Sequence, residues 1–254
     1  MRRLELRWCG LLVAVLLLNV TQWASGAPFW SENFQSMPMN ASVNGQDTTW
    51  QCINASFYYG TTTPDPSDSS NKSLTLISYY TAGDYHECAR WYDDTASAPH
   101  NGLIEFTWAM KRDPSAGWMV SVQGFGGVEV ASIANDPVGS QSSIDAYTSS
   151  GWVETLATVP SDLTTWKTVV LDVDFAASPV RYKVRAGTGP WSDWYTEGNS
   201  ATYFRLLSFS ANHHTNGASM FDDFTATPEP CTFMLLGCGG LAALLKRRRA
   251  QTGT

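Results

Sequence analysis

Between residues 29 and 227 apolar and polar positions alternate in short runs, and Gly, Pro, Asn and Asp separate the runs. The alternation is cleanest at 180–186, where Val180, Tyr182 and Val184 oppose Arg181, Lys183 and Arg185. Three basic residues on one face also protect such a strand from edge pairing. At 103–111 Ile104, Phe106, Trp108 and Met110 fall on one side, with Glu105, Thr107 and Lys111 on the other; at 166–175 Val169, Leu171, Val173 and Phe175 oppose Thr168, Asp172 and Asp174. A period of two is the signature of a half-buried strand. By the same reading, strands are predicted at 29–34, 50–59, 73–80, 86–92, 118–123, 128–134, 152–159, 203–211 and 219–227.

The segment 113–117 (DPSAG) turns the chain into 118–123, and Gly124, Gly126 and Gly127 separate that strand from the next. The Pro-, Ser- and Thr-rich stretch 61–72 has no periodicity and reads as a surface loop, and 140–150 reads as a polar connection. No stretch of the body supports a helix of more than about two turns. Short strands with turn signals between them predict an all-β fold, two antiparallel sheets packed face to face.

The two ends carry a different pattern. Arg2, Arg3 and Arg7 precede the apolar run 11–18, and Ala24, Ser25, Gly26 and Ala27 follow, as in a secretory signal peptide covering 1–26. At the other end Pro228, Glu229 and Pro230 lead into the uncharged run 231–245, which stops at Lys246, Arg247, Arg248 and Arg249. As a helix that run satisfies its own backbone in lipid. The basic cluster keeps the last residues, 250–254, in the cytoplasm and the body 27–227 outside.

This Pro-Glu-Pro, apolar run and arginine cluster at 228–249 resembles the PEP-CTERM sorting signal of bacterial exported proteins. The resemblance implies recognition by an exosortase-type membrane protease and passage through the inner membrane to the cell envelope, cell surface or extracellular matrix. A second resemblance lies in the body: ENF at 32–34, NGQDTTW at 44–50 and MFDDFTAT at 220–227 look like the first and last strands of concanavalin A-like, or laminin G-like, jelly rolls. It implies that the terminal strands pair within a two-sheet jelly-roll sandwich.

Charge narrows the partners. The chain holds 16 Lys and Arg against 23 Asp and Glu; without the seven terminal basic residues, Glu5 and Glu229, the body holds 9 against 21. Such a surface repels nucleic acid and anionic polysaccharide and suits neutral glycans or divalent metals. Cys52 and Cys88 are the body's two cysteines, and in an oxidising compartment the pair is expected to form one disulfide, free buried thiols being the alternative.

The candidate chemistry is sparse. Trp191, Asp193, Trp194 and Tyr195 lie in the turn-flanked segment GPWSDWYTEG, where aromatic faces and a carboxylate can receive a sugar; the alternative is that a tryptophan enters the core. Asp222 and Asp223, with Glu32 brought close if the terminal strands pair, are hard-oxygen candidates for calcium, against a solvated or hydrogen-bonded strand end. Alternation sends Asp222 and Asp223 to opposite faces. His213 and His214, and separately His86 and His100, lack a third ligand at metal-site spacing. Asp172 and Asp174 share a strand face and read as solvated rather than as a catalytic pair.

Laminarinase-like glycoside hydrolases carry a Glu-x-Asp-x-x-Glu strand, and no such spacing occurs here; RYKVRAG at 181–187 echoes the Tyr-x-Lys-Ala-Gly element of alginate lyases without its companion Gln-x-His. The nucleophile-elbow, zinc-protease and P-loop patterns are absent too. The expected protein is therefore an exported β-sandwich with a structural or carbohydrate-binding role. The alternative is a carbohydrate-active enzyme, a glycoside hydrolase or polysaccharide lyase, on the same fold.

Overall fold

The computed structural model describes residues 28–44, 50–51, 60–79, 85–86, 88–92, 100–135, 142–211 and 217–228. The segment 1–26, the tail from Glu229 onward with Lys246 to Arg249, Cys52, His213 and His214 lie outside the described residues; of Cys88 only the backbone is described. Among the described residues no helix is long and apolar enough to cross a membrane.

Phe29–Thr227 forms one compact unit. Its strands in chain order are β1 (Trp30–Glu32), β2 (Trp50–Gln51), β3 (Thr61–Asp65), β4 (Asp68–Tyr79), β5 (Tyr85–His86), β6 (Cys88–Tyr92), β7 (Leu103–Arg112), β8 (Trp118–Gly124), β9 (Val128–Asn135), β10 (Ser143–Thr148), β11 (Gly151–Thr158), β12 (Lys167–Asp174), β13 (Arg181–Ala186), β14 (Phe204–Ala211) and β15 (Gly217–Pro228). One sheet has the order β13-β12-β7-β15-β4-β3, with β1 on β15 and β5 on β4; the other runs β11-β10-β9-β8-β14-β6-β2. All the registered pairs are antiparallel.

The predicted alternation explains the core. Ile104, Phe106, Trp108, Met110, Val169, Leu171, Val173, Val180, Tyr182 and Val184 are wholly buried on the inner face of the first sheet. Val120, Val122, Ile133, Leu207 and Phe209 oppose them from the second sheet. Aromatic rings join the two layers: Trp108 meets Phe209 edge-on at 5.9 Å between centroids, Phe106 meets Phe204 at 5.0 Å, and Trp30 stacks on Trp91 at 4.1 Å. Such pairs contribute about 0.5–1.5 kcal/mol each beyond the area they bury.

The ends of the unit meet as expected, with Trp30, Ser31 and Glu32 opposite Ala226, Thr225 and Phe224. On β15 a left-handed backbone at Asp223, φ 52°, breaks the alternation. Phe221 and Phe224, three apart, therefore both face the core.

Two sequence expectations need correction. Residues 61–72 are not a loop but the β3–β4 hairpin, with Thr61 opposite Thr75 and Thr63 opposite Ser73. Asp65 holds its turn: its carboxylate accepts from the Ser67 amide at 2.7 Å and hydroxyl at 2.6 Å, from the Trp166 indole at 2.7 Å, and from the buried Lys111 ammonium. Burial opposes ionisation there, yet these donors keep the Asp65 carboxyl well below the usual carboxylate range. Threonines, good strand formers through β-branching, conceal the pattern because they are polar on both faces.

Likewise 140–150 contains β10, whose Ile144 and Ala146 enter the core opposite Asn135 and Ile133. Ser143, Asp145 and Thr148 mask two apolar positions too few to register as a run.

Candidate functional site

The inward set of the second sheet determines what stands on its other face. Ser121 pairs with Ser132 on β9 and with Ser208 on β14, one position from the buried Val120, Ile133 and Phe209. These serines form a buried row on the face opposite that set. One step toward the β8–β9 turn, Gln123 lies opposite Glu129, after a register shift that skips Val130.

Glu129 is the centre of a small polar network. The Ser132 hydroxyl donates to its Oε1, and Asn199 Nδ2 donates to its carbonyl at 2.8 Å. Glu197, from the same segment as Asn199, also bonds Ser132 and lies near the Glu129 charge. Burial pushes the Glu197 carboxyl up to about 7; the Ser132 contact opposes the shift and Glu129 reinforces it. Glu197 Oε1 is itself buried without a protein partner. Beneath them the Tyr182 hydroxyl donates to the carbonyls of Ser132, at 3.1 Å, and Tyr147. Burial raises that phenol further above its ordinary value.

Two aromatic pairs border the network. At the β8–β9 turn Phe125, 60% exposed, lies 4.9 Å from Tyr203, and the Phe125 amide donates to the Tyr203 carbonyl at 3.0 Å. The turn closes through Gly126 and Gly127, both at positive φ that a side chain disfavours. On β10 and β11 Tyr147, 40% exposed, pairs across the strands with Trp152 at 5.1 Å. Exposed Leu156 and Glu154 extend that surface along β11.

The sequence-predicted residues Trp191, Asp193, Trp194 and Tyr195 belong to a strap along the β13 edge. Tyr182 and Tyr195 exchange backbone bonds at 2.8 and 2.7 Å, the Ser192 amide donates to the Val184 carbonyl at 2.9 Å, and the Val180 amide donates to the Asn199 carbonyl at 2.9 Å. The edge of β13 is thus covered by the chain itself, not only by its charges. Lys183 and Arg185 lie over the Trp191 ring at 4.2 and 4.5 Å, and Lys183 and Arg181 over Trp194 at 4.8 and 4.6 Å. Cations therefore already sit over both indole rings, and a sugar stacking on either face they cover would displace one of them. The same strap then delivers Glu197 and Asn199 to Glu129.

Asp172 is not solvated as its strand face suggests. It is 1% exposed, and Lys183 Nζ lies 3.1 Å from its Oδ2 beneath the strap. Asp174 pairs with the half-exposed Arg181 at 3.0 Å.

The calcium candidates divide. Glu32 and Asp223 line one open cleft of about 400 Å3 with Ser31, Asn33, Ser36 and Thr225. Glu32 Oε1 there accepts from the Phe34 amide at 2.5 Å. Asp222 points elsewhere, accepting from Asn71 at 3.0 Å, and burial pushes its carboxyl up to about 6. Among the described residues no group of three or more His, Cys, Asp or Glu side chains can hold a metal ion.

Glu129, Ser132, Glu197, Phe125, Tyr203, Tyr147 and Trp152 do not stand out in the sequence. A hairpin at 118–134 is legible, but the shift between Val122 and Gln123 that sets Glu129 opposite Gln123 is not. Nothing in the local pattern links Glu197 to either.

No family model and no curated protein matches the chain. Among solved structures it is similar to the catalytic domain of a glycoside hydrolase family 131 protein from Coprinopsis cinerea, at 16% identity and a TM-score of 0.51 over 81% of this chain and 96% of that one. It is also similar to the endo-1,3-beta-glucanase from Streptomyces sioyaensis, at 12% identity and a TM-score of 0.52 over 80% and 96%. At these identities the likeness is one of fold, and the fold is an all-β, two-sheet antiparallel sandwich of the jelly-roll kind.

Proposed function

We propose that this chain is an exported carbohydrate-binding β-sandwich, sorted to the envelope or extracellular matrix through its C-terminal tail. The observation that carries the binding reading is two aromatic couples, Phe125–Tyr203 and Tyr147–Trp152, each with one exposed and one half-buried ring, near Glu129, Gln123 and Asn199. Sugar rings present an apolar face to aromatic side chains and a rim of hydroxyls to carboxylates and amides, and this face offers both. A net charge of −7 favours a neutral glycan.

The solved neighbours' glycan chemistry is consistent with that ligand class, while the support for it here is geometric. Export and sorting rest on the terminal residues: Arg2, Arg3 and Arg7 before an apolar run, and Pro228 to Pro230 before another that ends at Lys246 to Arg249.

A panel of neutral and anionic polysaccharides, tested by isothermal titration, checks the binding reading. Tyr147→Ala and Phe125→Ala are expected to weaken binding of a neutral glucan about tenfold each, about 1.4 kcal/mol, with the melting temperature unchanged. Unaltered affinity in both variants sinks this face as the site. Mass spectrometry of the mature C-terminus tests sorting: a product ending at 228–230 supports exosortase processing, and a chain retaining Arg249 makes the tail a plain anchor.

A further inference from the structure

We propose that Lys111 and Asp65 become covalently joined, the Lys111 nitrogen forming an amide with the Asp65 side-chain carbon and so tying the β3–β4 hairpin to β7. The inference stands independently of glycan binding and goes beyond it.

Burial sets this pair apart among the described residues. The Lys111 and Asp65 side chains are 0% and 2% exposed and in direct contact, whereas the cations of the other two ion pairs, Arg181 and Lys183, keep 50% and 20% of their side chains in solvent. Taking both charges out of water is costly. Desolvation penalises the charged form of each group, which brings the neutral amine and carboxylic acid within reach of the ionic pair. An unprotonated, buried lysine is a nucleophile, and its neighbour is the carbon it would attack.

The groups around the pair are placed for that attack. Lys111 Nζ donates to the Ser67 hydroxyl at 3.3 Å, and the Ser67 hydroxyl donates to Asp65 Oδ1 at 2.6 Å. This is a continuous proton path from the nitrogen to one carboxyl oxygen, alongside the direct Lys111 contact with that same oxygen. The other oxygen, Oδ2, accepts from the Trp166 indole N–H at 2.7 Å. The face of the same indole lies 4.6 Å from Nζ, so one ring holds both reactants. Oδ1 is thus arranged to leave and Oδ2 to carry negative charge.

The reaction balances without a further reagent. It starts from the ion pair, in which the surrounding donors keep Asp65 ionised. The ammonium first gives one proton directly to Oδ1, leaving a neutral amine and a carboxylic acid. The nitrogen lone pair then bonds to the carboxyl carbon, and the displaced π pair collects on Oδ2, where the Trp166 N–H stabilises it. Next the nitrogen gives a second proton to the Ser67 hydroxyl as Ser67 gives its own to Oδ1. Oδ1 departs as water with the bonding pair, and the pair on Oδ2 restores the carbonyl. One hydrogen stays on the amide nitrogen, and two charges have disappeared from the interior. Fixed groups in such contact react at effective molarities on the order of 10⁵–10⁸ M. Ser67 is exposed at the hairpin turn, which gives the water a way out.

Peptide mass spectrometry on the reduced full-length chain after trypsin tests the bond. Expected is a branched peptide joining the segments around Asp65 and Lys111, lighter than their sum by one water and uncut after Lys111. Lys111→Arg keeps the cation but lacks the amine, and is expected to yield both segments linear. In pulse-chase samples Ser67→Ala and Trp166→Phe are expected to form the branched peptide about tenfold more slowly than the native chain; unchanged rates in both refute the relay and the Oδ2 donor. Linear, unmodified segments from the native chain after prolonged incubation at neutral pH leave an ordinary ion pair and overturn the inference. Loss of water with trypsin still cutting after Lys111 places the change in ring closure of an aspartate and overturns it as well.

Discussion

Asp222 is almost wholly buried on β15, with Asn71 donating to one carboxyl oxygen and the Asp223 amide to the other. Burial, helped by the nearby Asp223 and Asp65 charges, raises its folded value from 3.8 to about 6. A raised carboxyl value means that the folded chain holds the proton more tightly than the unfolded one. Below about pH 4 both states are protonated and the residue has no effect; above about pH 6 both are ionised and the folded state carries the full penalty. Stability is therefore lost through this group as pH rises from 4 to 6. Asp222→Asn is expected to raise stability at pH 8 by up to about 3 kcal/mol, since each tenfold difference in proton affinity between the two states is worth about 1.4 kcal/mol, and to change nothing at pH 4. Equal melting-temperature gains at both pH values would show that the effect is packing rather than charge. At the same scale Asp65 behaves oppositely, because Lys111 supplies a cation where Asp222 has only an amide and a backbone N–H.

Among elements, the strap 191–199 has most influence on the rest. Its backbone closes the β13 edge, its indoles interleave with Arg181, Lys183 and Arg185, and its far end supplies Glu197 and Asn199 to Glu129. The three cations are not equivalent. Lys183 bonds the buried Asp172, so Lys183→Ala removes the cation from a buried carboxylate and is expected to cost about 3–5 kcal/mol. Arg181 is half exposed beside Asp174, so Arg181→Gln is expected to cost at most about 1 kcal/mol. Denaturant midpoints measure both, and similar losses in the two variants would mean that indole stacking, not the buried ion pair, holds the strap.

For the molecule as a whole, the pairing of β1 with β15 ties the first described residues to the last. Trp30 stacks on Trp91 of the opposite sheet and on Phe224 at 5.8 Å, so the first strand also bridges the layers. Trp30→Ala is expected to lower stability by about 3–5 kcal/mol, with one cooperative transition kept; a second transition would instead show that the end strands melt apart from the body. β15 runs to Pro228. The cleavage proposed at 228–230 would fall just beyond Ala226, the last residue of β15 registered with β1; if the chain is exported and cut there, a flexible insert after Thr227 is expected to speed processing in pulse-chase measurements, an unchanged rate excluding access as the limiting step.

Much of the fold was legible without coordinates. The strand periodicity of β7, β12 and β13 and the sandwich class follow from alternation and turn residues, because side-chain direction along a strand is a local property; the meeting of the terminal strands was implied by the jelly-roll resemblance instead. Strands rich in hydroxyl residues, β3 and β10, were hidden because Thr and Ser suit either face. The proposal of export and sorting rests on the sequence alone, since a signal read as a linear pattern needs no fold. What only the tertiary structure decided is which strands become neighbours. A register shift of one residue brings Glu129 opposite Gln123, and the strap carries Glu197 to Ser132. Such contacts depend on long-range registration and burial, and these change what a carboxyl does without leaving any mark on the residues beside it.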